Sequence, residues 1–156
     1  MLNAITQRAV FERYLTEGEE RQLMKHVGKF GDELSRRDAA WIELMRQTGI
    51  RVGSMAGLTV EAAQHGVKRA RLVLEDDHAK GGRGYEVPLN KRAVAALRRL
   101  LKVRSDMGYK PLPHMPLVMS RKGNGMSVRS YQARMAMWVR EAGLPEIGRA
   151  SCRERV

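Results

Sequence analysis

Cysteine is almost missing from this chain. Cys152 is the single one in 156 residues, which excludes an intramolecular disulfide and any cysteine-based metal cluster. Long apolar runs are missing as well. No stretch approaches the roughly 18 apolar residues of a membrane span, so no membrane association is expected. The start, Met1 to Arg8, passes straight into charged sequence, unlike a secretory signal, so the expected location is cytoplasmic. His26, His65, His78 and His114 include no pair at metal-ligand spacing beside a carboxylate, so no structural metal is expected. No glycine-rich turn joins a strand to a helix, which argues against a Rossmann unit. Gly81-Gly82-Arg83-Gly84 lacks the Lys-Ser/Thr step of a Walker loop. There is no internal repeat and no low-complexity segment. Acid is scarce beside base: 17 Asp and Glu stand against 29 Lys and Arg, a formal charge of +12. That excess suits a polyanionic partner. The basic residues are interleaved with apolar ones, unlike a ribosomal or chromatin tail. With 43% hydrophobic residues, the chain has enough apolar material for one domain.

The last ten residues, Ile147 to Val156, show no periodicity, cap or turn logic. One back-translation, ATC GGA AGA GCG TCG TGT AGG GAA AGA GTG, resembles a common sequencing-library adapter read in frame. Residues 146–156 are therefore expected to be a non-native tail, with 147–156 disordered and packed on nothing. Without those last ten residues, three arginines and one glutamate among them, the charge is still +10 and no cysteine remains. Residues 1–15 read as a lead-in or linker, and 16–145 as the domain.

Helix signals open that domain. Thr16 followed by Glu19 is a capping box, and Leu23, Met24, Val27 and Phe30 continue at helical spacing. Ser35 and Asp38 form a second cap-like pair before Ala40, Trp41, Leu44, Met45 and Thr48, with Gly49 as a left-handed C-cap. A short helix is expected from Val52 to Leu58. After Thr59 the pattern turns β-rich: Val67-Lys68-Arg69, Arg71 to Leu74 and Tyr85-Glu86-Val87 read as three short antiparallel strands. A helix follows from about Lys91 to Ser105, with Val94, Leu97, Leu100 and Leu101 inward and Arg92, Arg98, Arg99, Lys102 and Arg104 on other faces. Val118 and Met119 suggest a stub of strand, and Arg121 to Gly125 a tight basic turn. Ser127 precedes a last helix whose apolar stripe is Val128, Tyr131, Met135, Trp138, Val139 and Ala142. The expected class is α+β: mainly helical, with a small three-stranded antiparallel sheet inserted after the third helix.

Several stretches resemble one known family in order and spacing. Arg37 to Val52, centred on Thr48-Gly49-Ile50-Arg51, looks like the first signature of the tyrosine recombinases, the phage-integrase family. Ala79 to Leu89 is similar to that family's lysine hairpin and its Val-Pro-Leu exit. Ser120 to Ser127 resembles its glycine turn, and Ala142-Gly143-Leu144 the stretch ahead of its second active-site box. The resemblance covers about residues 14 to 145, and implies that 16–145 is a partial recombinase catalytic domain.

The resemblance implies roles. Arg51 would be the first catalytic arginine, its guanidinium fork holding non-bridging oxygens of the scissile phosphate as charge builds there. Lys80 would be the general acid that protonates the leaving 5′ oxygen. Arg83 would touch a neighbouring phosphate, and Arg121 and Lys122 would add DNA contacts. The bland alternatives are a surface arginine at a helix start and an ordinary basic turn. Ser54 stands where the family usually has an acid, so a neutral hydroxyl replaces a charge beside Arg51. The family's His-x-x-Arg box and nucleophilic tyrosine belong beyond Leu144. Tyr14, Tyr85, Tyr109 and Tyr131 all lie upstream, and Tyr131 fits the apolar stripe of the last helix. Members also carry a helical DNA-clamping domain upstream, for which few residues are present here.

The implied activity is site-specific recombination of double-stranded DNA by a homotetramer of the intact protein, without ATP, metal or other cofactor. This chain would be a monomeric fragment that binds DNA without cleaving it. Two rivals remain at this point: a non-catalytic DNA-binding protein using the same basic groove, and a helical RNA-binding or ribosome-associated protein.

Overall fold

The computed structural model describes residues 15–74 and 84–145. They fall into two units, Gly31–Val128 and the flanking segments up to Phe30 and from Arg129 onward.

In the larger unit, α2 (Glu33–Thr48) and α5 (Lys91–Asp106) pack side by side, and the short α3 (Val52–Ala56), α4 (Val60–Arg69) and a hairpin of β1 (Arg71–Leu74) and β2 (Tyr85–Pro88) complete it. The N-cap of helix α2 lies three residues before the expected Ser35. Asp32 is the N-cap, its carboxylate accepting from the Ser35 amide at 3.1 Å. Asp38, expected as the cap's partner, is fully buried instead. Its Oδ1 accepts from Arg37 Nε at 2.9 Å and Trp41 Nε1 at 2.9 Å, and Arg37 Nη1 donates to the Met119 carbonyl at 2.9 Å. The buried guanidinium thus has both a countercharge and hydrogen bonds, which a buried charge requires. At one end of the pair, Asn90 Nδ2 donates to Gln47 Oε1 at 2.8 Å. At the other, Arg36 Nη1 meets Asp106 at 3.0 Å, so α2 and α5 run antiparallel.

The sheet has two strands among the described residues, not the expected three, and it follows four helices rather than three. Leu72 faces Val87 and Leu74 faces Tyr85 across the antiparallel ladder. Val67-Lys68-Arg69 is the last turn of α4. Thr59 caps that helix by accepting from the Ala62 amide at 3.2 Å, and Val60, Ala63 and Gly66 bury one helical face. The helix ends on Ala70 in the left-handed region, φ 55°. Glycine is the usual residue there, so the sequence carries no ordinary stop signal. At Gly66 the helices touch: an added Cβ would stand 2.9 Å from Leu97 Cδ1 and 3.3 Å from Leu72 and Leu89.

The segment after α5 is pinned by Arg104, which is buried rather than on an outer face. It donates to the carbonyls of Pro116 at 3.0 Å and Lys110 at 2.5 Å. Leu117 then donates to the Leu58 carbonyl at 2.9 Å, and Val60 to that of Met115 at 2.9 Å. The expected strand stub is a single bridge from Met119 to Gly125.

In the smaller unit, α1 (Glu17–Val27) has the expected capping box at Thr16 and Glu19 and buries Leu23 and Val27. Helix α6 (Val128–Glu141) buries Tyr131, Trp138 and Val139. His26 and Phe30 of the first segment stack against Trp138, with centroids 5.8 Å from it in both cases. Phe30 and Val128, expected inside, are exposed.

Candidate functional site

The Thr48-Gly49-Ile50-Arg51 step is built from four different local forces. Thr48 Oγ1 donates to the Leu44 carbonyl at 2.6 Å, tying the last turn of α2 to itself. Gly49 takes φ +68°, and its amide donates to the Met45 carbonyl at 2.8 Å, closing the helix. Ile50 turns inward and is buried. Arg51 is then the N-cap of α3, and its carbonyl accepts from the Met55 amide at 3.0 Å. Its backbone is fixed while its guanidinium is exposed and makes no hydrogen bond or ion pair with any described residue. An exposed fork on a fixed stem, with no partner among the described residues, is suited to an anionic oxygen pair.

Ser54 lies one helical turn beyond Arg51. Its hydroxyl meets the Tyr85 hydroxyl at 3.2 Å, which links α3 to the start of β2, at the loop end of the ladder. The sequence marks Ser54 but not its partner, because the two stand 31 positions apart and no spacing rule connects a helix residue to that strand.

Lys80 and Arg83 lie outside the described residues. Arg121 and Lys122 are exposed on the basic turn. Ser120 organises that turn: its amide donates to the Asn124 carbonyl at 2.6 Å, and its hydroxyl accepts from the Lys122 and Asn124 amides at 3.3 Å each. Gly125 sits against Pro116, where an added Cβ would be 2.7 Å from the ring. The turn and α3 share one framework through the Leu58–Leu117 backbone bond.

Among the described residues, no three His, Cys, Asp or Glu side chains could hold a metal ion, and no helix is long and apolar enough to cross a membrane.

Residues 13–154 match the Phage integrase family. The chain is similar to the tyrosine recombinase XerC of Shewanella sp. strain W3-18-1, with 32% identity over 113 residues, covering 72% of this chain and 35% of that protein. The XerC of Shewanella amazonensis is 34% identical over 113 residues, 72% of this chain and 36% of that one. Among solved structures, XerA recombinase aligns with a TM-score of 0.68 at 18% identity, over 86% of this chain and 45% of that one. The Tn1549 transposon integrase bound to transposon right end DNA gives 0.71 at 18% identity, over 85% and 48%. These two likenesses establish the fold. The chain spans about a third of the length of the curated relatives it matches. The helical framework around the Arg51 step and the family match through it lead to one conclusion: the chain belongs to the phage integrase family of tyrosine recombinases and represents part of the catalytic domain.

Proposed function

We propose that this chain is the phosphate-binding part of a site-specific DNA recombinase, and that Arg51 grips the scissile phosphate. The observation that carries this is the exposed guanidinium of Arg51, with no hydrogen bond or ion pair to any described residue, on its fixed Thr-Gly-Ile-Arg turn. In the longer protein, a tyrosine oxygen attacks phosphorus, a 3′-phosphotyrosyl bond forms, and the P–O bond to the 5′ oxygen breaks. Lys80 gives that oxygen its proton. A 5′ hydroxyl from a partner duplex then reverses the attack and restores the phosphodiester. Bond energy stays in the covalent link, so no cofactor is consumed. Arg51 acts by holding the non-bridging oxygens as they gain charge. Arg83, Arg121 and Lys122 contact the flanking backbone, and four protomers assemble on two DNA sites.

The chain alone binds duplex DNA and does not cut it. Of its described tyrosines, Tyr131 is core, Tyr109 donates to the Ser120 carbonyl at 3.3 Å, and Tyr85 pairs with Ser54. A second reading, a non-catalytic DNA-binding protein, draws support from the neutral Ser54 at the family's acid position.

Duplex binding should weaken steadily with salt, with a negative slope of log K on log salt, and a nicked suicide substrate should trap no covalent adduct. A flat salt dependence would refute DNA binding, and a trapped adduct would refute the missing nucleophile. Residues 146–156 are proposed to be adapter-derived; finding the same ten residues after Glu146 in an independent genomic clone would overturn that.

A further inference from the structure

Helix α5 carries an outer face that the Arg51 site does not use. Its inner face buries Ala93, Ala96, Leu97, Leu100, Val103 and Arg104. Turned away from these are Lys91, Arg92, Arg98, Arg99 and Lys102, all exposed. At about 100° per residue the five cations fall within a sector of roughly 120°, so they form one stripe.

The stripe has almost no countercharge of its own. The sole acid on α5 is Asp106, at its far end, which takes Lys102 at 2.8 Å and Arg36 at 3.0 Å. Lys91, Arg92, Arg98 and Arg99 make no hydrogen bond or ion pair with any described residue. Two of them also stand where a helix disfavours them. The first turn of α5 has no acid, whereas α1, α2 and α4 each begin with at least one glutamate. Cations there oppose the positive end of the helix dipole. Four like charges thus stand over about 12 Å of helix with no compensation from any described residue.

The composition of the face selects the kind of partner. Only Ala95 interrupts the cations, so an incoming polypeptide would find no apolar pocket for the anchors that dominate protein interfaces. A phosphate backbone needs none, since it binds through cation contacts and counterion release. The start of the face also lies close to the Arg51 turn. Its first residues follow Asn90, which is hydrogen-bonded to Gln47 in the last turn of α2, just before the turn to Arg51.

We propose that Lys91, Arg92, Arg98 and Arg99 form a second DNA contact, which holds the phosphate backbone of duplex outside the Arg51 site. This rests on the DNA-binding reading of the chain. The test is fluorescence anisotropy with a labelled mixed-sequence duplex over a salt series, on the chain as it stands. The K91Q/R92Q/R98Q/R99Q variant keeps good helix formers on the helix and removes four charges. Its slope of log K on log salt should be shallower by about 3 to 4, at roughly 0.9 for each phosphate no longer neutralised. R98Q/R99Q should lose about half of that, and it decides the matter should the fourfold variant fail to fold. If folded stripe variants keep the wild-type slope while R121Q/K122Q lowers it, the stripe proposal is overturned and the DNA reading stands. If the stripe variants lose binding and R121Q/K122Q does not, the stripe is upheld and the Arg121–Lys122 contact is refuted. A wild-type chain with no salt-dependent binding overturns both. Wild-type slopes on DNA, coupled with loss of poly-glutamate binding in the stripe variants, would make the face an acidic-polypeptide site and also overturn the proposal.

Discussion

Two alanine substitutions at neighbouring glycines, opposite in sign, examine the turn that sets Arg51. At both Gly49 and Gly53 an added Cβ meets nothing within 4 Å, so neither substitution has a steric term. What differs is the backbone. Gly49 sits at φ +68°, where an L residue is strained, and Gly53 lies inside α3. The left-handed conformation costs alanine about 1–2 kcal/mol. The stiffer unfolded chain returns about 0.4–1 kcal/mol. Gly49→Ala should therefore destabilise by up to about 1.6 kcal/mol, a fall in Tm of up to about 6 °C for a chain of this size. Gly49→Asn, which tolerates that region, should lose less. Gly53→Ala should gain up to about 1 kcal/mol from helix propensity. Thermal unfolding followed by circular dichroism measures all three. If Gly49→Ala and Gly53→Ala moved Tm in the same direction, the left-handed turn before Arg51 would be wrong.

Three further outcomes follow from the same geometry. Asp38→Ala leaves the Arg37 guanidinium buried without its countercharge, which should cost about 3–5 kcal/mol in a denaturant titration; a loss under about 1 kcal/mol would mean that the pair is solvated. Hydrogen bonds from Lys102 and then Arg36 hold the Asp106 carboxyl below its ordinary value. Their stabilisation is present above the unfolded value of about 3.9 and is lost as pH falls through the lower folded one. An NMR titration midpoint for Asp106 at or above that unfolded value would contradict the bonds. In a protein extended by the native continuation, Lys80→Ala should slow cleavage, and a 5′-bridging sulfur should restore it, because a thiolate leaves without a proton. Equal impairment on the sulfur substrate would reduce Lys80 to a phosphate contact.

What was legible in the sequence depended on whether the determinant was local. The Thr16 capping box and the Gly49 C-cap are decided within a turn of chain, and both stand as expected. The end of helix α4 reads as strand because it stops on Ala70, a residue that announces no stop, and a β-branched Val67 beside a basic pair imitates strand. The start of α2 was displaced because Ser35 and Asp38 imitate a cap, whereas the carboxylate of Asp32 accepts the Ser35 amide. Arg104 looks like its basic neighbours in sequence, yet it shares the inner face of α5 with Leu100 and Val103. There, burial lowers the pKa of its guanidinium, opposed by Tyr109. The Thr48-Gly49 end of the Arg51 step was legible because both residues are tied to the last turn of α2. The tie between Ser54 and Tyr85 was not, since it depends on where a strand is laid against a helix.

Whether Arg51 grips the phosphate under attack is decided by reading the gene past Pro145, expressing the extended protein, and presenting it with a nicked suicide substrate carrying its recombination site. The wild type should accumulate a 3′-phosphotyrosyl adduct, and Arg51→Ala should bind the same DNA with most of its affinity while forming almost none. An Arg51→Ala protein that forms the adduct at the wild-type rate would show that Arg51 does not hold that phosphate.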